Sequence, residues 1–426
     1  MTIIGIDLGT TNSLVSIFSD EGPVLVPNAF GANLTPSVVH LDKSDQVIVG
    51  ASAKDHLINA PRATASKFKR LMGTAKVTTL RDRNFSAEDL SSLVLRSLKA
   101  DAEAYLGSPV TEAVISVPAY FNEIQRKATM TAAQLAGLTV RRLINEPTAA
   151  ALAYGLQDKD AEHTFLIVDL GGGTFDVSIL ETFSGVMEVR ASAGDAFLGG
   201  EDFTDRIVAD FARQLDRRID QMAAADLSRL RATADQAKHA LSDRQAVTCA
   251  FRLGDAEHPL GLTRDAFEAL TEDLINRMKV PLQRAIGDAD LMASDIDRIV
   301  LVGGATRMVP VRNLITRLFK RFPEHALDPD TVVALGAGVQ AGLIARNAAL
   351  DDIVMTDVAP FTLGYETTRL GETPSQNEGG LFAPLIERNT TIPASRSHVV
   401  KGLRKGQDRI DLRIFQGESH MSATTS

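Results

Sequence analysis

Ile167-Val168-Asp169-Leu170-Gly171-Gly172-Gly173-Thr174-Phe175-Asp176-Val177-Ser178-Ile179 has a near twin far upstream, Gly5-Ile6-Asp7-Leu8-Gly9-Thr10-Thr11-Asn12-Ser13-Leu14-Val15-Ser16-Ile17. Aligned without a gap, Asp7 falls on Asp169, Gly9 on Gly171, and Val15-Ser16-Ile17 on Val177-Ser178-Ile179. Each reads as strand, tight Gly/Thr turn, strand, because β-branched and apolar flanks favour strands and glycine permits turn dihedrals closed to other residues. A Gly/Thr turn presents backbone N–H groups on one concave side, which suits phosphate oxygens. An aspartate ending the strand beside such a turn is the group that would meet Mg²⁺. Either copy alone would read better as a plain hairpin with a glycine turn. Two copies with the same aspartate and spacing argue for two homologous lobes gripping one polyphosphate.

The remaining sequence sets bounds. A chain of 426 residues exceeds one ordinary core and predicts two or three domains. Hydrophobic content of 44% and charged content of 23% fit a globular protein. A net charge of −9 leaves no basic surplus for nucleic acid. The single cysteine, Cys249, rules out a disulfide framework and fits a reducing compartment. Without a span-length apolar run or a basic leader, the expectation is a cytoplasmic protein that engages no membrane.

Around the twin hairpins the pattern alternates between strand and helix, the signature of a layered α/β domain. Lys67–Gly73 reads as the close of a helix. Ser86 and Asp89 form a capping box before a helical stripe, and Ala113–Val117 is a strand. Asn122–Gly137 reads as a helix ended by its glycine, and Asn145-Glu146-Pro147 opens an alanine-rich one. Residues 202–242 read as mostly helical, 245–253 as strand and 263–286 as helix. Ile299–Val302 runs into Gly303-Gly304-Ala305-Thr306-Arg307, with a helix N-terminus expected just beyond as a further anion site. Asp328-Pro329-Asp330 reads as a capped helix start, the helix running to about Ala349. Asp351–Pro360 is a mixed acidic and apolar tether. Beyond it helical periodicity disappears, and Arg409–Ile414 alternates as a half-buried strand would.

Taken together, these strings resemble the DnaK-type, seventy-kilodalton heat-shock chaperone family along the whole chain. The specific ones are Val117-Pro118-Ala119-Tyr120-Phe121-Asn122, Asn145-Glu146-Pro147-Thr148-Ala149-Ala150-Ala151, Asp169–Asp176 and Leu198-Gly199-Gly200-Glu201-Asp202-Phe203. The resemblance implies a duplicated actin/hexokinase-type ATPase fold over residues 1–350, a linker at 351–360, and the start of an antiparallel peptide-binding β-sandwich at 361–426. It implies ATP or ADP bound with Mg²⁺, and K⁺ as a further ion. Asp7 and Asp169 would hold the Mg²⁺–nucleotide, and Asp176 would be a K⁺ ligand. The turns Gly9-Thr10-Thr11-Asn12 and Gly171-Gly172-Gly173-Thr174, with Gly199 and Gly200, would wrap the phosphates. Lys69, Glu146, Asp169 and Thr174 would surround the attacking water. Asp235, Lys238 and Ser242, three and four apart on one helix face, would serve the adenosine side with His239, Gly303, Gly304, Arg307 and Asp330. Pro118 and Arg126 would form a switch. Arg142 would help a J-domain co-chaperone bind, and Thr368, Val400 and Ile410 would line the peptide cleft for unfolded clients.

Departures from the family pattern are visible too. His239 stands where many relatives carry an arginine over adenine, and Ala305 replaces a loop serine. The stretch between Lys69 and Pro118 is short, so the outer subdomain of the first lobe is trimmed. That trimming resembles an HscC-like branch and bears on use of a nucleotide-exchange factor. Thr356 occupies a linker position that is usually leucine. The β module reads as cut after its first strands, so the expectation is a monomer with a mobile or aggregation-prone segment after Pro360 and weak peptide retention. An actin-like filament protein or a sugar kinase would share the twin hairpins but would explain neither the tether nor the β module.

Overall fold

The computed structural model describes residues 2–155, 162–183, 186–324, 327–345, 354–369, 378–401 and 407–419. Both twin stretches are antiparallel hairpins, Ile3–Asp7 with Asn12–Ser19 and His163–Leu170 with Phe175–Phe183. The duplication extends to the sheets around them. In the first sheet Glu112–Val117 lies parallel to Ile3–Asp7, and Asn12–Ser19 and Gly22–Leu25 follow antiparallel. In the second, Arg298–Val302 lies parallel to His163–Leu170, and Phe175–Phe183 and Val186–Asp195 follow antiparallel. This is the duplicated two-lobe α/β architecture of the actin/hexokinase type.

Helices Glu146–Gly155 and Val332–Ile344 carry the union of the lobes. Their alanines, glycines and valines are buried in one apolar cluster with Ile3 and Val114 of the first sheet and Ile167, Leu180 and Val300 of the second. Small residues are needed because the backbones nearly touch. A Cβ on Gly336 would stand 1.7 Å from the Ala149 carbonyl oxygen. Each lobe also has its own core. The second buries Phe203, Phe211 and Phe267 completely, side chains worth about 2–3 kcal/mol each on burial.

The Ser86–Asp89 capping box forms as read, and a second, Asn122 with Gln125, forms as well. Ser86 starts Ala87–Leu106, and Asn122 starts Glu123–Leu135, beyond which Gly137 takes a left-handed φ of 74°. Other readings are corrected. Lys67–Gly73 does not close a helix. The strand Thr64–Ser66 passes through Lys67 at φ 61° into a short 3-10 turn, Phe68–Leu71. The helix expected at 263–286 is two, Arg264–Leu270 and Glu272–Asp288, broken at Thr271. The Thr271 hydroxyl bonds back to the Phe267 carbonyl, the competition that makes threonine a poor interior helix residue. Ala256–Thr263, missed in the sequence, pairs with Ala246–Leu253 through Gly254 at φ 61°. Asp328-Pro329-Asp330 does not cap a helix. The helix begins at Val332, and both aspartates bond Arg307 instead.

The tether is a strand. Val354–Val358 adds to the second sheet parallel to Val186–Asp195, Met355 opposite Met187 and Thr356 opposite Glu188, and then pairs with Thr391–Ile392. Asp352, Ile353, Leu350, the end of the last helix near Ala349 and the loop residues 370–377 lie outside the described residues. Beyond the tether, Leu363–Arg369 pairs with Glu378–Ile386 and Ile414–Gln416. The strand expected from Ile410 therefore begins only at Ile414, and Ile410 and Leu412 are about half exposed. The module packs on both lobes. Phe361 meets Tyr120 at 4.3 Å between ring centroids, and Arg388 grips Asp288.

Candidate active site

Both Gly/Thr turns face one cleft. Its lining takes Asp7, Gly9, Thr10, Thr11 and Asn12 from the first lobe and Asp169, Gly171, Gly172 and Thr174 from the second. Lys69, Glu146, Gly303, Gly304 and Asp330 complete it. The turns nearly touch, since a Cβ on Gly172 would lie 2.1 Å from the Thr11 hydroxyl. Gly303 at φ 79° brings the third loop within 2.4 Å of the Leu170 carbonyl on the same measure, a place open only to glycine.

Lys69 is 5% exposed on its 3-10 turn, and its Nζ donates to Glu146 Oε1 at 2.6 Å above the Phe121 ring. Around this pair stand three buried carboxylates. Ser116 donates to Asp7 Oδ1 at 2.8 Å, and the Tyr120 N–H donates to Asp176 Oδ1 at 2.8 Å. Among the described residues Asp176 Oδ2 is buried without a hydrogen-bond partner. Burial, then the Glu146 charge, pushes the Asp7 carboxyl up to about 6 and that of Asp176 up to about 7. Asp169 is raised well above the carboxylate range by burial and by Glu146, Asp176 and Asp7. Carboxylates crowded until they favour protons are a donor set that a cation relieves, so the residues fit a metal-bound polyphosphate.

The remaining candidates brace the cleft or stand at its rim. The Gly200 and Glu201 N–H groups donate to the Gly171 and Gly172 carbonyls at 2.9 Å, and Gly199 packs against Gly173, so this segment props the second turn. Lys238 is buried and donates to the Gly200 carbonyl and the Thr204 hydroxyl. Asp235 pairs with Lys238 at 2.8 Å and lies 3.6 Å from His239, whose side chain is exposed. Ser242, expected on the same helix face, is half-buried in the turn just past the helix Ala224–Ala240, its N–H donating to the His239 carbonyl at 3.1 Å. Arg307 bonds Asp328 at 2.6 Å and Asp330 at 2.8 Å. A helix, Val309–Phe319, begins just beyond the loop Gly303–Arg307 as expected, and the loop itself forms a 3-10 turn, Gly304–Arg307. Thr368, Val400 and Ile410 sit in the β module, half-buried, exposed and exposed.

Sequence reasoning missed the ionic clasp at the cleft mouth. Lys67 and Arg231 both reach Glu201, and Arg70 bonds Asp202 at 3.2 Å, so the first lobe's basic run Lys67-Phe68-Lys69-Arg70 is tied to the second lobe's Glu201-Asp202. Charge opposition between the two strings was the available signal.

Two Gly/Thr turns on duplicated lobes, an aspartate at each, and a buried lysine between them fit an ATPase of the actin/hexokinase type. The chain also matches the family model described as Hsp70 protein over residues 3–426. It is 44% identical over 436 residues to the chaperone protein DnaK of Thermosipho melanesiensis, covering 99% of this chain and 71% of that protein. With the chaperone protein DnaK of Thermotoga neapolitana it shares 44% identity over 432 residues, covering 98% and 70%. The chain belongs to the Hsp70 family. It is a DnaK-type, ATP-dependent chaperone and an ATPase that binds ATP or ADP with Mg²⁺, and the kinase and filament readings are not favoured.

Proposed function

We propose that residues 1–350 bind and hydrolyse ATP, that 351–360 couple this domain to the β module, and that 361–426 begin the client-binding domain. The observation that carries this is the meeting of both turns with the Lys69–Glu146 pair in one cleft. The metal-bound nucleotide supplies the phosphoryl group and the charge that neutralises the aspartates. The turn N–H groups at Gly9–Asn12 and Gly171–Thr174 hold the phosphates, with Gly199 and Gly200 behind them. Asp7 and Asp169 hold Mg²⁺. Lys69 places positive charge where phosphoryl transfer spreads negative charge, and Glu146, Asp169 and Thr174 orient the attacking water. Asp235, Lys238, His239, Ser242, Gly303, Gly304, Arg307 and Asp330 serve the adenosine end.

The unpartnered Asp176 oxygen supports a second, monovalent site for K⁺. Arg142, exposed on the strand Thr139–Asn145, supports docking of a J-domain partner. The trimmed outer subdomain favours an HscC-like branch with altered use of an exchange factor. The protein acts as a monomer in the cytoplasm, and Thr368, Val400 and Ile410 contribute to client binding. Phosphate release from ATP tests the core of this reading. Turnover should require Mg²⁺, rise with a J-domain protein, and lose that rise in Arg142→Ala; no phosphate release under any condition refutes it.

A further inference from the structure

Helix Val309–Phe319 buries Val311, Leu314, Ile315 and Phe319 in the core of the second lobe. Its opposite face, Val309, Arg312, Asn313, Thr316, Arg317 and Lys320 at helical spacing, forms one wall of a groove. Phe322 and Pro323 form the other wall. Phe322 is 85% exposed, an unusual cost for an aromatic ring. Arg317 and Lys320 are exposed and make no side-chain hydrogen bond or ion pair among the described residues. Two carboxylates that follow in sequence are engaged elsewhere, Glu324 with Arg298 at 3.2 Å and Asp328 with Arg307 at 2.6 Å. Arg321 extends the basic rim and donates to the Asp297 carbonyl at 3.2 Å. On a chain of net charge −9 this is a local reversal of sign beside an uncovered aromatic ring.

We propose that this groove docks an acidic segment of a partner polypeptide, its carboxylates on Arg317 and Lys320 and an aromatic or aliphatic anchor against Phe322. Charge complementarity selects the sign of the partner, and the exposed ring selects an apolar anchor over a bare polyanion. The helix face is roughly 16 Å long, enough for about five extended residues. The helix follows directly from the loop Gly303–Arg307 at the nucleotide cleft, so an occupant bears on an element joined to that site. The inference stands apart from the roles assigned inside the cleft.

The test is fluorescence anisotropy of the full chain with labelled Glu-Asp-Phe-Leu-Asp-Glu, against a control with lysine and arginine in place of the acidic residues. Saturable binding of the acidic probe alone is expected, weakened at least tenfold in Arg317→Glu/Lys320→Glu and in Phe322→Ser. Because these side chains are exposed, the variants should keep the parent's thermal unfolding and ATP turnover. Equal binding by parent and variants would put the probe on the β module instead and overturn the proposal. Loss only in the charge-reversed variant, with oligonucleotides or phosphatidylserine vesicles competing as well as the peptide, would reveal a polyanion surface and overturn it too. So would absence of binding.

Discussion

The Asn145 side-chain amide donates to Asp357 Oδ2 at 2.9 Å, and Thr148 Oγ1 donates to the same oxygen at 3.1 Å. The Val358 N–H takes Asp357 Oδ1 at 2.8 Å. On its other side Asn145 accepts from Arg126 at 2.7 Å, and its chain neighbour Glu146 accepts from Lys69 at 2.6 Å. One peptide bond therefore separates a tether contact from the candidate catalytic pair.

Asp357 faces three donors and no acceptor. Burial raises its carboxyl, while Val358, Arg126, Thr148 and Asn145 pull it down. Asp357→Asn sets an amide N–H against one of those donors, leaving a buried pair unsatisfied at about 1–3 kcal/mol. Stimulation of ATP turnover by the tether should disappear, leaving the rate of a chain that ends at Leu350. Equal rates in the parent, the variant and the shortened chain would show that the tether does not couple.

Thr356 presents the reverse situation: among the described residues its hydroxyl is buried without a partner on the docked strand. Thr356→Val removes that polar group at constant shape and should tighten docking by about 1 kcal/mol. Amide hydrogen exchange across 354–358 should slow several-fold. Faster exchange would mean that the hydroxyl has a role the packing does not reveal.

The β module is held by a bidentate pair, Arg388 to Asp288 at 2.5 and 2.7 Å, with Asn389 adding a bond to Asp288 at 2.9 Å. Both partners are largely buried, so Asp288→Ala should loosen the module by about 2 kcal/mol. Limited proteolysis within 361–369 should accelerate at least tenfold. An unchanged cleavage rate would assign the docking energy to the Tyr120–Phe361 contact instead.

His40, 3% exposed, stacks on His56 with ring centroids 3.9 Å apart. Burial, and then the His56 charge, lowers its pKa from 6.5. A base held neutral in the fold contributes stability above its unfolded pKa, and that contribution is lost as pH falls through about 6.5. Thermal unfolding should come at a lower temperature at pH 5.5 than at pH 7.5, and His56→Gln should flatten the slope. A slope indifferent to His56→Gln would trace it to other groups.

The fold was legible where local chemistry repeats. The twin strings Gly5–Ile17 and Ile167–Ile179 carry strand propensity, turn glycines and an aspartate in one register, and the sheets formed around them as expected. Lys69 was placed by family resemblance, because one lysine on a short turn has no signature of its own. What escaped depends on long-range contact. Asp328 and Asp330 read as helix caps until Arg307, distant in sequence, claimed them. The alternation Arg409–Ile414 promised a strand, but only Ile414–Gln416 found a partner. The clasp of Lys67 and Arg70 on Glu201 and Asp202 needed both lobes in place to be seen.

Single-turnover hydrolysis of pre-bound Mg²⁺-ATP by Lys69→Ala bears most directly on the site. Removing the one buried ammonium between the two turns should leave nucleotide bound yet slow the chemical step by at least two orders of magnitude, the usual loss when one stabilising group is deleted at a transferring phosphoryl. An unchanged single-turnover rate would contradict the assignment of Lys69, and with it the reading of the cleft.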